Sequence, residues 1–335
     1  MPIPARFTRR AAPALLLFAA APAQAEDAPL DYDLAALGAE LAPGVRGPAP
    51  RPATAHAHAQ DSQIDENILL PAAGPEGDED HKWARDYVAI AGGVITAPSY
   101  SGSDERVVLP AFYLRGRVSG FSFSTRGTNF QVDLIRQRRG QKTDFKFGPV
   151  ISLRNNRTGR IKDPQVEALG ERKMAVEVGI ATGITHTGVV TSGYDQVGFR
   201  LVGLYDISGR HRSWALSPTV EYGTPLSKRA YIGLSASMNI YGKGFGRYYF
   251  DIDPVGAAAS GLPVYSDAGR KITAGKYTIG VAGAYGLSGD LRKGFVLIAG
   301  AQYGRMLGRY ADSPIVAEAG DADQWLGGVG IAYQF

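Results

Sequence analysis

The sequence predicts an all-β protein, a closed antiparallel transmembrane β-barrel of about twelve strands (ten is the alternative count) behind a disordered N-terminal segment. Three observations predict it. From Trp83 onward the chain runs in alternating segments of roughly ten residues, separated by turn residues. Beyond the N-terminus there is no apolar run near the roughly 20 residues of a spanning helix, so a membrane-seated chain must close its hydrogen bonds strand to strand. The last segment alternates up to a terminal aromatic, Phe335.

Composition narrows the classes. Gly (43), Tyr (17) and Phe (13) are abundant, which suits pleated surfaces and tight turns. Cysteine is absent, so disulfide scaffolds, Cys–zinc sites and thiol catalysis are excluded. Lys and Arg number 36 against 32 acids. Three of them, Arg6, Arg9 and Arg10, open a segment without acids. The remainder is nearly neutral, with no global pull towards nucleic acid.

Residues 1–25 read as a secretory signal peptide: those arginines, an apolar stretch around Leu15-Leu16-Leu17-Phe18, and the cleavage pattern Ala23-Gln24-Ala25. Residues 26–82 read as a disordered tether. Pro43, Pro48, Pro50 and Pro52 break ladders and helices, and Tyr32 is the only aromatic between Glu26 and Lys82. His56, His58 and His81 fall here without further placed ligands, so no metal site is expected.

The barrel spans 83–335. In 230–240 the even positions carry Ile232, Leu234 and Met238, while Gly233, Ser235 and Ser237 lie between them. In 145–154 Phe145, Phe147, Ile151 and Leu153 alternate with Lys146, Gly148, Ser152 and Arg154. Such patterns place strands at 85–95, 105–114, 117–124, 128–135, 143–154, 173–187, 194–206, 213–222, 229–240, 273–287, 293–307 and 323–335. With both termini in the periplasm, the long connections 155–172, 241–272 and 308–322 all fall outside, and the alternate connections are short. In the last strand Trp325, Val329, Ile331, Tyr333 and Phe335 share one face, the signature offered to the outer-membrane insertion machinery.

Catalytic sites are not expected. After the tether only His186 and His211 remain; they fall at opposite rims, with no Ser or Asp partner legible by spacing, and read as exposed rim residues. Neither phosphate-loop glycines nor zinc spacing occurs, so no cofactor is expected. Asp133, Lys146, Arg154, Glu177, Arg200, Glu221 and Lys276 fall on lumen-facing parities. An interior ion-pair network is favoured over a narrow polar pore, because small barrels fill with side chains.

Several stretches taken in order resemble one family. They are Pro98-Ser99-Tyr100-Ser101-Gly102-Ser103-Asp104, Leu109-Pro110, Gly256 to Tyr265, Leu307 to Val316, and the closing Gly330-Ile331-Ala332-Tyr333-Gln334-Phe335. Over roughly 85–335 the chain is similar to the MltA-interacting protein (MipA/OmpV) family. The resemblance implies an outer-membrane barrel that contacts lipid and acts as a scaffold for a lytic transglycosylase (murein hydrolase) and a murein synthase. A small porin-like channel or an adhesin is the alternative, and a lipid- or peptide-hydrolysing barrel ranks below both. Pro98, Tyr100, Gly102, Ser103, Pro110, Gly261, Pro263, Tyr265, Ser313, Pro314 and Phe335 are the family-motif positions. Their turn chemistry suggests a structural role.

Overall fold

The computed structural model describes residues 87–119, 121–136, 141–159, 161–289, 291 and 294–334. The signal-peptide and tether assignments, and Phe335, lie outside the described residues. Twelve strands form: β1 (Tyr87–Pro98), β2 (Arg106–Val118), β3 (Phe121–Arg126), β4 (Asn129–Asp133), β5 (Thr143–Arg154), β6 (Ala175–Thr187), β7 (Gln196–Asp206), β8 (Trp214–Pro225), β9 (Ala230–Tyr241), β10 (Thr273–Gly286), β11 (Gly294–Met306) and β12 (Asp323–Gln334). Each strand pairs antiparallel with its sequence neighbours, and β1 pairs with β12 to close the barrel. Twelve, not ten, is the strand count.

Alternation decides which way each side chain points. On β12 Trp325, Val329, Ile331 and Tyr333 face outward and are exposed. Phe145, Phe147, Ile151 and Leu153 do the same on β5. Outward aromatics gather near both ends: Trp325 with Tyr303 (ring centroids 5.1 Å apart) at one, Phe295 with Tyr333 (5.0 Å) at the other. An apolar band between two aromatic girdles matches a hydrocarbon slab between two interfaces.

The interior has two characters. On the β1, β2 and β10–β12 side it is apolar and small, with Ala91, Ile95, Ala111, Ala282, Ile298 and Leu326 in one cluster. Inward positions were expected to be small or polar. The large residues among these share one buried cluster with alanines, so the interior is packed there. On the β5–β9 side charged and polar side chains surround a small apolar cluster of Val150, Val202 and Leu204.

The strand ends place β1–β2, β5–β6, β9–β10 and β11–β12 connections at one rim, and the termini at the other. The long-loop rim is the outer one in barrels of this kind. There the connections fold into a cap with four short helices: α1 (Pro164–Ala168), α2 (Lys243–Tyr249), α3 (Pro254–Ser260) and α4 (Pro314–Ala317).

Candidate functional site

The interior charges assemble at two levels. At the first, Glu221 on β8 accepts from Arg126 Nη1 (3.0 Å) and Arg200 Nε (3.4 Å). Arg126 ends β3, five strands away from β8 in the wall, so this bridge crosses the interior. Of the other predicted charges, Asp133 turns to the backbone, accepting from Ile135 N–H (3.0 Å) and Phe147 N–H (3.2 Å). Lys276 is buried on β10.

At the second level, beneath the cap, Glu177 on β6 accepts two bonds from Arg154, Nε at 2.9 Å and Nη2 at 2.7 Å. Its Oε1 also meets His211 Nε2 at 2.8 Å. The Arg154 guanidinium lies 5.0 Å from the centre of the Phe245 ring, which stands edge-on to His211. His211 therefore corrects the sequence expectation: it is not an exposed rim residue without an acidic partner, but is 4% exposed and bound to Glu177. The cause is local. The Asp206 carboxylate gathers the N–H groups of Ser208, His211 and Arg212, which curls the β7–β8 turn inward. His186 lies at the opposite rim, exposed, against Thr143 Oγ1 at 2.7 Å.

The remaining pole of His211, Nδ1, is buried with no hydrogen-bond partner among the described residues. A nucleophile–base pair needs a hydroxyl or thiol there. What the residues form is an ion-paired floor.

An aromatic layer covers that floor. Tyr241 stacks on Phe245 with centroids 3.9 Å apart, and Tyr249, Phe250 and Tyr310 complete the cluster. Burial pushes the Tyr249 hydroxyl above its usual range, so it remains protonated.

Most motif positions meet in this cap. Tyr100 is fully buried, and its hydroxyl donates to Ala319 O at 2.5 Å, tying the first outer loop to the last. Burial raises its pKa as well. Gly102 N–H donates to Gln324 Oε1, and Gly102 O accepts from Asp321 N–H. Ser103 Oγ bonds Ser99 Oγ at 2.8 Å. Ser313 Oγ donates to Phe250 O (2.7 Å) and Tyr265 hydroxyl to Arg309 O (2.7 Å). Pro314 starts α4, and Gly261 ends α3 in the left-handed region. Pro98 closes β1, Pro110 lies within β2, and Pro263 is exposed. The parity argument did not include Arg126, whose partner lies across the interior.

A closed antiparallel barrel with an apolar outer band, two aromatic girdles and an ionised interior defines the class: an outer-membrane β-barrel protein. The family whose model matches residues 90–335 is MipA, the MltA-interacting protein, and the chain belongs to that family. It is accordingly a protein of the outer membrane. Among curated proteins none matches the chain. Similar solved structures include the COG4313 outer membrane channel from Pseudomonas putida F1, at 10% identity and TM-score 0.37, covering 75% of this chain and 95% of that one. OmpT of Vibrio cholerae is similar at 7% identity and TM-score 0.33, covering 75% and 97%. The Pseudomonas putida toluene transporter TodX follows at 10% and 0.34, covering 74% and 88%.

Proposed function

We propose that this chain is a non-enzymatic scaffold in the outer membrane that holds peptidoglycan-remodelling enzymes, a lytic transglycosylase and a murein synthase, near the wall. The observation that carries this reading is the family match over 90–335, whose description is MltA-interacting protein. The packed interior and the cap support it, since they make the barrel a body to attach to. In this reading residues 1–25 are removed on export, 26–82 form a periplasmic tether, and the closing strand recruits the insertion machinery. The outer-loop motif residues are architectural.

The test is a pull-down of murein hydrolases and synthases on the mature protein with and without 26–82. Enrichment that depends on 26–82 places the contact in the tether, and enrichment by both forms places it on the barrel. Its absence from both ends the scaffold reading. A second reading, a small channel, rests on the ionised interior at Glu221 and Glu177. Planar-bilayer recordings of refolded protein separate the two: a scaffold is silent, whereas steady conductance makes the protein a channel.

A further inference from the structure

The outer surface of the cap holds an open cleft of about 1300 Å3, walled by the β5–β6 connection, the β7–β8 turn and the α2–α3 segment. Six cations line it: Arg172, Arg210, Arg212, Lys243, Arg247 and Arg270. Two carboxylates do, Asp251 and Asp253, and both are committed to backbone. Asp251 accepts from Ala268 and Gly269 N–H at 3.0 and 3.3 Å. Asp253 caps α3 by accepting from Gly256 N–H at 2.7 Å. Arg270 is paired with Asp267 (2.9 Å), but Arg210, Arg212, Lys243 and Arg247 make no ion pair among the described residues.

One further observation points to a ligand. Arg172 stacks 5.2 Å over the Tyr248 ring, with its Nε buried and without a hydrogen-bond partner. His211 borders the cleft, with its imidazole fully buried beneath the aromatic layer. Like charges from three chain segments converge here. That arrangement costs Coulomb energy unless an anion fills it.

We propose that this cleft binds clustered phosphate groups carried on a saccharide. Guanidinium groups match phosphate oxygens in pairs. The spread of four unpaired cations suits several charges on one ligand, and the Tyr248 and Tyr265 side chains offer apolar walls for a sugar ring. The same chemistry has two sources, the phosphorylated headgroup of an outer-leaflet glycolipid and a soluble sugar phosphate. The inference stands independently of the scaffold reading.

Titration calorimetry on the full folded chain in neutral detergent tests it. The probes are inositol hexakisphosphate and mixed micelles of phosphorylated lipid A, with dephosphorylated lipid A as the control. Inositol hexakisphosphate is expected to bind, more weakly as salt rises. Arg210→Gln with Arg212→Gln is expected to weaken it by about tenfold. Arg229→Gln with Arg305→Gln removes the same charge outside the cleft and is expected to leave binding unchanged. Retained heat-modifiable migration certifies the fold of each variant; should the first pair not fold, Lys243→Gln with Arg247→Gln replaces it. Binding of phosphorylated micelles in competition with the soluble probe identifies the headgroup as the source. Binding of the soluble probe alone identifies a free sugar phosphate. Heat from neither probe, or equal weakening by the cleft pair and the remote pair, overturns the proposal.

Discussion

Glu177 holds two donors at once, so its loss is costlier than the loss of either donor. Glu177→Ala strands the Arg154 guanidinium in a buried place, an effect of about 3–5 kcal/mol for a broken buried pair. His211→Phe keeps an aromatic ring beside Phe245 and Tyr249 while leaving the Arg154–Glu177 bond intact. The temperature of heat-modifiable unfolding should therefore fall much further for Glu177→Ala than for His211→Phe. Equal falls would mean that the histidine, not the arginine, is the partner that matters. Gly102 makes a second case. Its φ is +99°, and an added Cβ would lie 2.4 Å from Val316 Cγ2. Gly102→Ala should lower stability by about 1–3 kcal/mol, read by the same assay, and Val316→Ala in the same chain should relieve the steric part only. Glu177 was legible as a lumen residue because parity alone fixes its direction. His211 was not, because its burial depends on bonds that Asp206 makes around a turn, and no periodicity records those.

Strands were legible where alternation is unbroken and shifted where it is not. The predicted segment 143–154 coincides with β5, whereas 105–114 and 117–124 became β2 and β3, turning at Ser119. Arg115 and Gly116 interrupt the apolar pattern, yet Gly116 pairs with Val88 and with Phe123 and the strand continues through it. Pro110 shows why a proline is tolerated in β2. Leu114 N–H points to β3, where it donates to Thr125 Oγ1 at 3.0 Å. Period two puts the Pro110 nitrogen on that same edge, and β2–β3 pairing begins only at Arg115. The missing N–H thus faces a stretch without a strand partner among the described residues, so no ladder bond is lost. The cap helices also left local traces. Asp163-Pro164 and Asp253-Pro254 each join an N-cap acid to a first-turn proline, and Gly261 supplies the left-handed end. At five and seven residues these helices are too short for a readable period.

The β6–β7 turn carries its own pH dependence. Burial opposes ionisation of Asp195, but the N–H groups of Thr191, Val189 and Val190 outweigh it and hold the carboxyl below its usual range. A depressed pKa stabilises the fold above the unfolded value, about pH 4, and that stability disappears as pH falls through the folded value. Asp195→Ala should cost about 1–3 kcal/mol near neutrality, and its deficit against the parent should shrink below about pH 4. Thermal unfolding across that range checks it. A deficit constant with pH would assign the loss to packing rather than charge.

The whole molecule has two barriers in series along its axis, and they are separable. The cap lies above the Arg154–Glu177–His211 floor, while the Arg126–Glu221–Arg200 bridge spans the interior at another level. Tyr241 and Thr273 are register partners, so the connection between them can be replaced by a two-residue turn without disturbing β9 or β10. That deletion removes α2, α3 and much of the aromatic layer, but it leaves the bridge and the packed alanine side of the interior in place. The deleted barrel should remain heat-modifiable, because the strand ladders and the outward apolar band are untouched. It should stay silent in a planar bilayer, and conduct only when Arg126→Ala and Glu221→Ala are added together, since that pair removes the side chains that bridge the interior and leaves Arg200 on the wall. Conductance from the cap deletion by itself would locate the seal in the cap. Silence of the triple change would locate it in the wall where Ile95, Ile298 and Leu326 meet the alanines, and would make this barrel closed by shape rather than by charge.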